Sequence, residues 1–162
     1  MKQAIIALLA LTNSLFQVDI PETTLILPIL GSTVLSQYEA PLTRYGAGHR
    51  GIDLVAEIGA EVLAPASGEL SFAGVVGYRS TVTINFANSM SASMEPVCSA
   101  IAEGSYVLQG EAIGTVCEPD LNYHWHCAVT CLHFGTRTVE GYFSPLAIIG
   151  GLPFSRLVPL GD

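Results

Sequence analysis

The sequence predicts an all-β domain, compact and mostly antiparallel. Three observations carry that expectation. Sixteen glycines and nine prolines punctuate 162 residues, and both residue types favour turns. The runs between them are short and rich in Val, Ile, Thr and Phe, side chains that suit a pleated, half-buried surface. No stretch of ten or more positions carries a 3.6-residue apolar stripe.

The elements follow in order. Residues 1–18 read as a signal peptide. One charge at Lys2 precedes the apolar run Ala4 to Leu11, the layout of an export signal. Eight helical residues cover about 12 Å, far short of a bilayer core. The alternative for this run is a buried first helix. Residues 19–40, with Asp19, Pro21, Pro28 and Gly31, read as a linker that becomes an edge strand. The β domain spans 41–149. Its expected strands are 51–55, 61–64, 68–73, 81–86, 106–108, 112–116 and 128–134. Residues 150–162, with two prolines, read as a tail draped over the domain.

Composition excludes several classes. Half of the residues are hydrophobic and 12% are charged, which rules out a disordered chain and a charge-rich coiled coil. The net charge is −8. Lys2 is the only lysine and the arginines are scattered, so no nucleic-acid footprint exists. No stretch is long and apolar enough to span a membrane. The phrases Ala64-Pro65-Ala66-Ser67-Gly68 and Gly104 to Gly114 echo the half-barrel sandwiches of biotinyl and lipoyl carriers. A carrier needs a lysine at a hairpin tip, and none follows Lys2. The topology can be shared, but the carrier function cannot. Four cysteines, Cys98, Cys117, Cys127 and Cys131, lie in the last 65 residues. In a cytosolic protein they could form a metal or redox cluster; in an exported one they read as two disulfides. Four cysteines allow three pairings.

The histidines are His49, His124, His126 and His133. His49 and Asp53 share one face of a strand. A fully extended chain would hold their Cα atoms about 13 Å apart, so one metal can take both only if the chain bends, and Gly51 permits a bend. An ordinary His–Asp hydrogen bond explains the same spacing. Cys131 and His133 share one strand face, with Leu132 and Phe134 on the other. His124 and His126 repeat that spacing after a turn at Pro119 to Asn122, where a solvated loop accounts for them equally well.

In order, these phrases resemble a known family. They are Tyr45 to Leu54 with His49-Arg50-Gly51-Ile52-Asp53, the Ala64 to Gly68 turn, Gly104 to Gly114, Leu132-His133-Phe134-Gly135, and Tyr142-x-Ser144-Pro145-Leu146. The set is similar to the lysostaphin-type zinc metallopeptidases that cut peptide links in peptidoglycan, and in particular to an exported actinobacterial branch. The resemblance covers roughly residues 41–148. It implies a zinc held by His49, Asp53 and His133. It also implies a Cys127–Cys131 disulfide, which leaves Cys98 to pair with Cys117. Cys131 stands where the family has the first His of its H-x-H. The stretch matching the family's Y-x-H-L is Met94-Glu95-Pro96-Val97, without a histidine. Both family helpers for water activation are thus replaced. The candidate substitutes are Glu95 as base and His126 as donor to the developing oxyanion, with His124 nearby. The expected function is a zinc endopeptidase acting on peptidoglycan peptides, secreted or in the cell envelope, with weak or context-dependent activity. The alternatives are a degenerate wall-binding or hydrolase-regulating module, and a structural β domain without metal.

Overall fold

In the computed structural model, residues 24–118 and 127–150 are described. Their strands are β1 (Val34–Ser36), β2 (Ile52–Val55), β3 (Glu61–Leu63), β4 (Gly68–Val76), β5 (Arg79–Phe86), β6 (Met90–Glu95), β7 (Val97–Ser99), β8 (Tyr106–Val107), β9 (Ala112–Val116), β10 (Cys131–Arg137) and β11 (Tyr142–Phe143). The larger sheet runs β1-β2-β10-β6-β5-β4-β8, with β11 also on β10, and the smaller runs β3-β9-β7. Every strand pairing within these sheets is antiparallel. The all-β expectation is borne out. No helix among the described residues is long and apolar enough to cross a membrane.

Alternation within the strands builds the two faces of the large sheet. Ile52 and Leu54 of β2, Leu132 and Phe134 of β10, Ala92 and Met94 of β6, and Val82 and Ile84 of β5 are fully buried. They form one core with Val62, Ile113 and Val116 of the small sheet. Each large apolar side chain so buried contributes about 1.5–3 kcal/mol. Their strand neighbours point to the opposite face, which is polar: Asp53, His133, Glu95, Ser93, Ser91, Thr81 and Thr83. Hydroxyl pairs join strands across it, with Thr83 Oγ1 and Ser93 Oγ 2.9 Å apart. Ser91 donates to Asn85 Oδ1 at 2.9 Å. The β4–β5 hairpin turns through Gly77 and Tyr78, whose φ values are +56° and +69°. Two left-handed residues in sequence give the primed turn that matches strand twist.

The strands read from sequence are present, with some bounds shifted and three strands added. The strand expected from residue 128 starts at Cys131, because 127–130 form the loop closed by a disulfide. β7 and β11 were not expected, nor was β6. Its sequence, Met-Ser-Ala-Ser-Met-Glu, contains no Val, Ile, Thr or Phe, yet it alternates small polar and apolar side chains. Tertiary pairing on both sides outweighs its weak intrinsic preference.

The first described residues are tied to the body of the fold. Leu25 is fully buried, and its N–H donates to the Ile148 carbonyl at 2.7 Å. β1 lies at the sheet edge beside β2.

Both disulfides implied by the family resemblance are present. Cys98 pairs with Cys117 across a Cα separation of 5.3 Å. Cys127 pairs with Cys131 across 6.3 Å. On loop length alone the first bond would stabilise by about 3 kcal/mol and the second by about 2.

Candidate metal centre

The centre is a row of side chains crossing neighbouring strands. Asp53 on β2 is directly opposite His133 on β10, and His133 is directly opposite Glu95 on β6. His49 precedes β2. The chain bends at Arg50 and Gly51, which brings His49 back over Asp53. His49 Nε2 lies 3.1 Å from Asp53 Oδ1 and 3.1 Å from His133 Nδ1. His133 Nδ1 lies 2.9 Å from the same Asp53 oxygen. Three donor atoms thus form a nearly equilateral triangle. The Asp53 side chain is 2% exposed, against 21% for His49 and 19% for His133. The carboxylate is the floor of the site and the two rings are its walls.

This triangle fits a zinc ion. Zinc–nitrogen bonds of about 2.0–2.1 Å in tetrahedral geometry place neighbouring donors about 3.3 Å apart. The observed edges need to open by only a few tenths of an ångström. Protonation points the same way. His49 Nδ1 lies 2.7 Å from the Gln37 carbonyl, which can only accept, so Nδ1 carries the proton. In the neutral ring Nε2 then offers a lone pair toward a carboxylate and a second imidazole. With His133 Nδ1 unprotonated as well, three lone-pair donors would face one another and call for a cation between them. The Gln37 carbonyl is the kind of outer partner that fixes a ligand imidazole's tautomer and orientation.

Gly51 has a second role beyond the bend. A Cβ at this position would stand 2.7 Å from His133 Nε2 and closer still to the Phe134 carbonyl oxygen. The His133 ring therefore packs on a backbone with no side chain. Gly51→Ala is expected to push that ring out of the triangle. Zinc affinity should fall at least tenfold, as when an outer partner of a ligand is lost. Stability should fall by about 1–3 kcal/mol from overpacking. A competitive chelator titration and a urea melt read the two effects. Unchanged values in both would remove Gly51 from the site.

The other expected residues divide. Glu95 is beside the centre, but both of its oxygens are engaged. Arg79 Nη1 donates to Oε1, and Thr81 Oγ1 donates to Oε2 at 3.0 Å. The carboxylate is thus committed to contacts with β5. Cys131 is buried and disulfide-bonded, so it supplies neither a thiolate ligand nor a nucleophile. Asp53, Cys127 and Cys131 also come together, but metal binding by cysteine needs free thiolates. His124 and His126 lie outside the described residues. Gln37, Arg79 and Thr81 escaped the sequence reading. The Gln37 contact is made by backbone, which no side-chain motif marks. Arg79 and Thr81 reach Glu95 only through the β5–β6 register.

A row of two imidazoles and one buried carboxylate, on the polar face of an antiparallel sheet, defines a metallopeptidase-like β domain. The comparisons with known proteins agree. The model of peptidase family M23 matches residues 47–145, more than half of the chain, and the chain belongs to that family. An uncharacterized protein of Mycobacterium tuberculosis (strain H37Rv) is 31% identical over 134 residues, which are 80% of this chain and 52% of that protein. The chain therefore spans about half the length of this relative. Among solved structures, SpoIIQ in its pore-forming complex with SpoIIIAH superposes with a TM-score of 0.65 at 19% identity, covering 79% of this chain and 92% of that one. The catalytic domain of lysostaphin from Staphylococcus simulans superposes with a TM-score of 0.58 at 21% identity, covering 71% and 90%. These likenesses show the fold, and with it the lysostaphin-type resemblance read from the sequence.

Proposed function

We propose that this protein is a secreted zinc endopeptidase acting on the peptide cross-links of peptidoglycan. The observation that carries the reading is the triangle of His49 Nε2, Asp53 Oδ1 and His133 Nδ1 in a chain of peptidase family M23. These three residues would hold the metal. Two imidazoles and one carboxylate match the three-ligand sets of catalytic zinc, which leave a position open. A zinc ion held there supplies a Lewis acid for the scissile carbonyl and a water activated at neutral pH. The chain's own residues do the rest. Gln37 fixes the His49 tautomer. Ser93 and Thr83 offer hydroxyls to a peptide lying along the sheet. Gly135, opposite Ser93, keeps the floor low beside His133. Two disulfides suit an oxidising compartment outside the cytosol. Proton transfer falls to His126 in this reading, because Glu95 is held by Arg79.

One observation favours a second reading. Glu95 is neutralised and Cys131 is locked in a disulfide, so two positions beside the centre lack a free base. A wall-binding or hydrolase-regulating module on the same fold would have this appearance. SpoIIQ, by the name of its structure, is part of a complex with a partner protein.

The test is release of new amino termini from purified peptidoglycan by the zinc-loaded chain. Release is expected, to be abolished in His49→Ala. In His126→Ala it should be lowered about 10²–10⁴-fold, the range of acid–base assistance, with zinc content unchanged. No release from several wall preparations, with zinc bound, would reject the endopeptidase in favour of the module.

A further inference from the structure

The polar face of the sheet continues past the metal row. His133, Gly135 and Arg137 follow one another on the same face of β10, opposite Glu95, Ser93 and Ser91 of β6. Four residues of strand carry the floor about 13 Å from His133 to Arg137. There it opens into a depression of about 1110 Å³ whose walls include Arg44, Arg50, Arg137, Tyr38 and Tyr142.

Charge is concentrated here against the trend of the molecule. The chain has a net charge of −8 and only six basic residues, and three of those six line this one depression. A single carboxylate, Glu140, lines it with them. Among the described residues, no ion pair joins Arg44, Arg50 or Arg137 to any acid. The contrast is Arg79, which is neutralised by Glu95. Arg50 is also held in place. Its Nη2 donates to the carbonyls of Arg44 at 3.1 Å and Gly46 at 3.0 Å, and its guanidinium is 5.9 Å from the centre of the Tyr142 ring. Backbone carbonyls orient the fork without cancelling its charge. Arg137 is exposed, and among the described residues its side chain makes no hydrogen bond or ion pair.

We propose that the Arg50–Arg137 depression is a carboxylate subsite, taking a free carboxylate of the bound peptide about three to five residues from the scissile bond. The spacing follows from the floor. An extended peptide rises about 3.3 Å per residue, so four residues reach from the metal row to Arg137. The chemistry follows from the guanidinium fork, which receives a carboxylate by two parallel charge-assisted bonds. This subsite rests on the reading of wall peptides as substrate and narrows it to acidic ones.

The experiment is co-sedimentation of the full chain, on ice, with purified peptidoglycan sacculi. One batch is native, and in the other the carboxyl groups are amidated. Wild type is expected to bind the native form about tenfold more tightly, the worth of one charge-assisted contact. Arg137→Gln should lose most of that preference and the Arg50→Gln/Arg137→Gln variant all of it. Arg137→Gln breaks no hydrogen bond or ion pair among the described residues, so it remains informative if the double variant fails to fold. A charge-matched control with Ala112→Glu and Thr115→Glu, both exposed on β9, should keep the preference. Equal binding of both sacculi by wild type, undiminished preference in Arg137→Gln, or its loss in the control would overturn the subsite alone. No binding to either batch would overturn the wall-peptide reading along with it.

Discussion

Replacing Asp53 with asparagine is expected to lower zinc affinity by at least about a hundredfold, because loss of an outer partner alone costs 10–100-fold. It should also remove most of the stabilisation that zinc gives to the folded chain. Asp53 is the one anionic donor of the triangle, and its Oδ1 touches both imidazoles. The amide has the same shape, so packing beneath the site is kept. What is lost is the negative charge that offsets the desolvation of a dication. The effect can be read without any substrate. At a zinc concentration one hundred times its dissociation constant, binding stabilises the wild type by about 2.7 kcal/mol. For a chain of this size that raises the melting temperature by about 5–10 °C. At the same zinc concentration a hundredfold weaker site keeps at most about 0.4 kcal/mol, so the Asp53→Asn chain should rise by no more than about 1–2 °C, and a chelator should return the wild type to its own zinc-free baseline. An equal rise in both chains would place the metal elsewhere.

Phe134→Ala is expected to destabilise the fold by about 3–5 kcal/mol, the range for truncating a buried aromatic ring. Phe134 is among the largest fully buried side chains. It lies on the central strand β10, between Leu132 and the fully buried Thr136. Neighbouring strands flank it on both sides, with Ile52 and Met94 directly opposite. A sheet interior cannot close around the space that a lost ring leaves. The loss would remove a large share of the 5–15 kcal/mol that natural domains possess. Urea denaturation measures it directly. Because His133 is the preceding residue, zinc affinity should weaken as well, by less than in Asp53→Asn. A loss below about 1 kcal/mol, the size of a methyl deletion rather than a ring, would mean that this ring does not anchor the strand.

Much of this protein is legible in its residues one segment at a time. Turn residues between short β-rich runs determine an all-β domain, because glycine and proline act on the backbone locally. Alternation decides which side chains of β10 enter the core, because strand geometry has a period of two. The order of its phrases is enough to recognise the family, and the disulfide pairs follow from that likeness. Other features required the folded chain. β6 has no strong strand former, and it becomes a strand because β5 and β10 pair with it on either side. Glu95 reads as a free base in sequence. In space it is held by Arg79 and Thr81, sixteen and fourteen residues away. Gly51 reads as a bend, and the fold adds the need for a bare backbone beneath His133. Arg50 and Arg137 read as scattered charges, and only the closing of the sheet brings them to one depression. The physical reason is common to all four. Backbone preference and side-chain period are properties of neighbours in sequence, whereas ion pairs, close approaches and charge clusters depend on strand register, which long-range pairing determines.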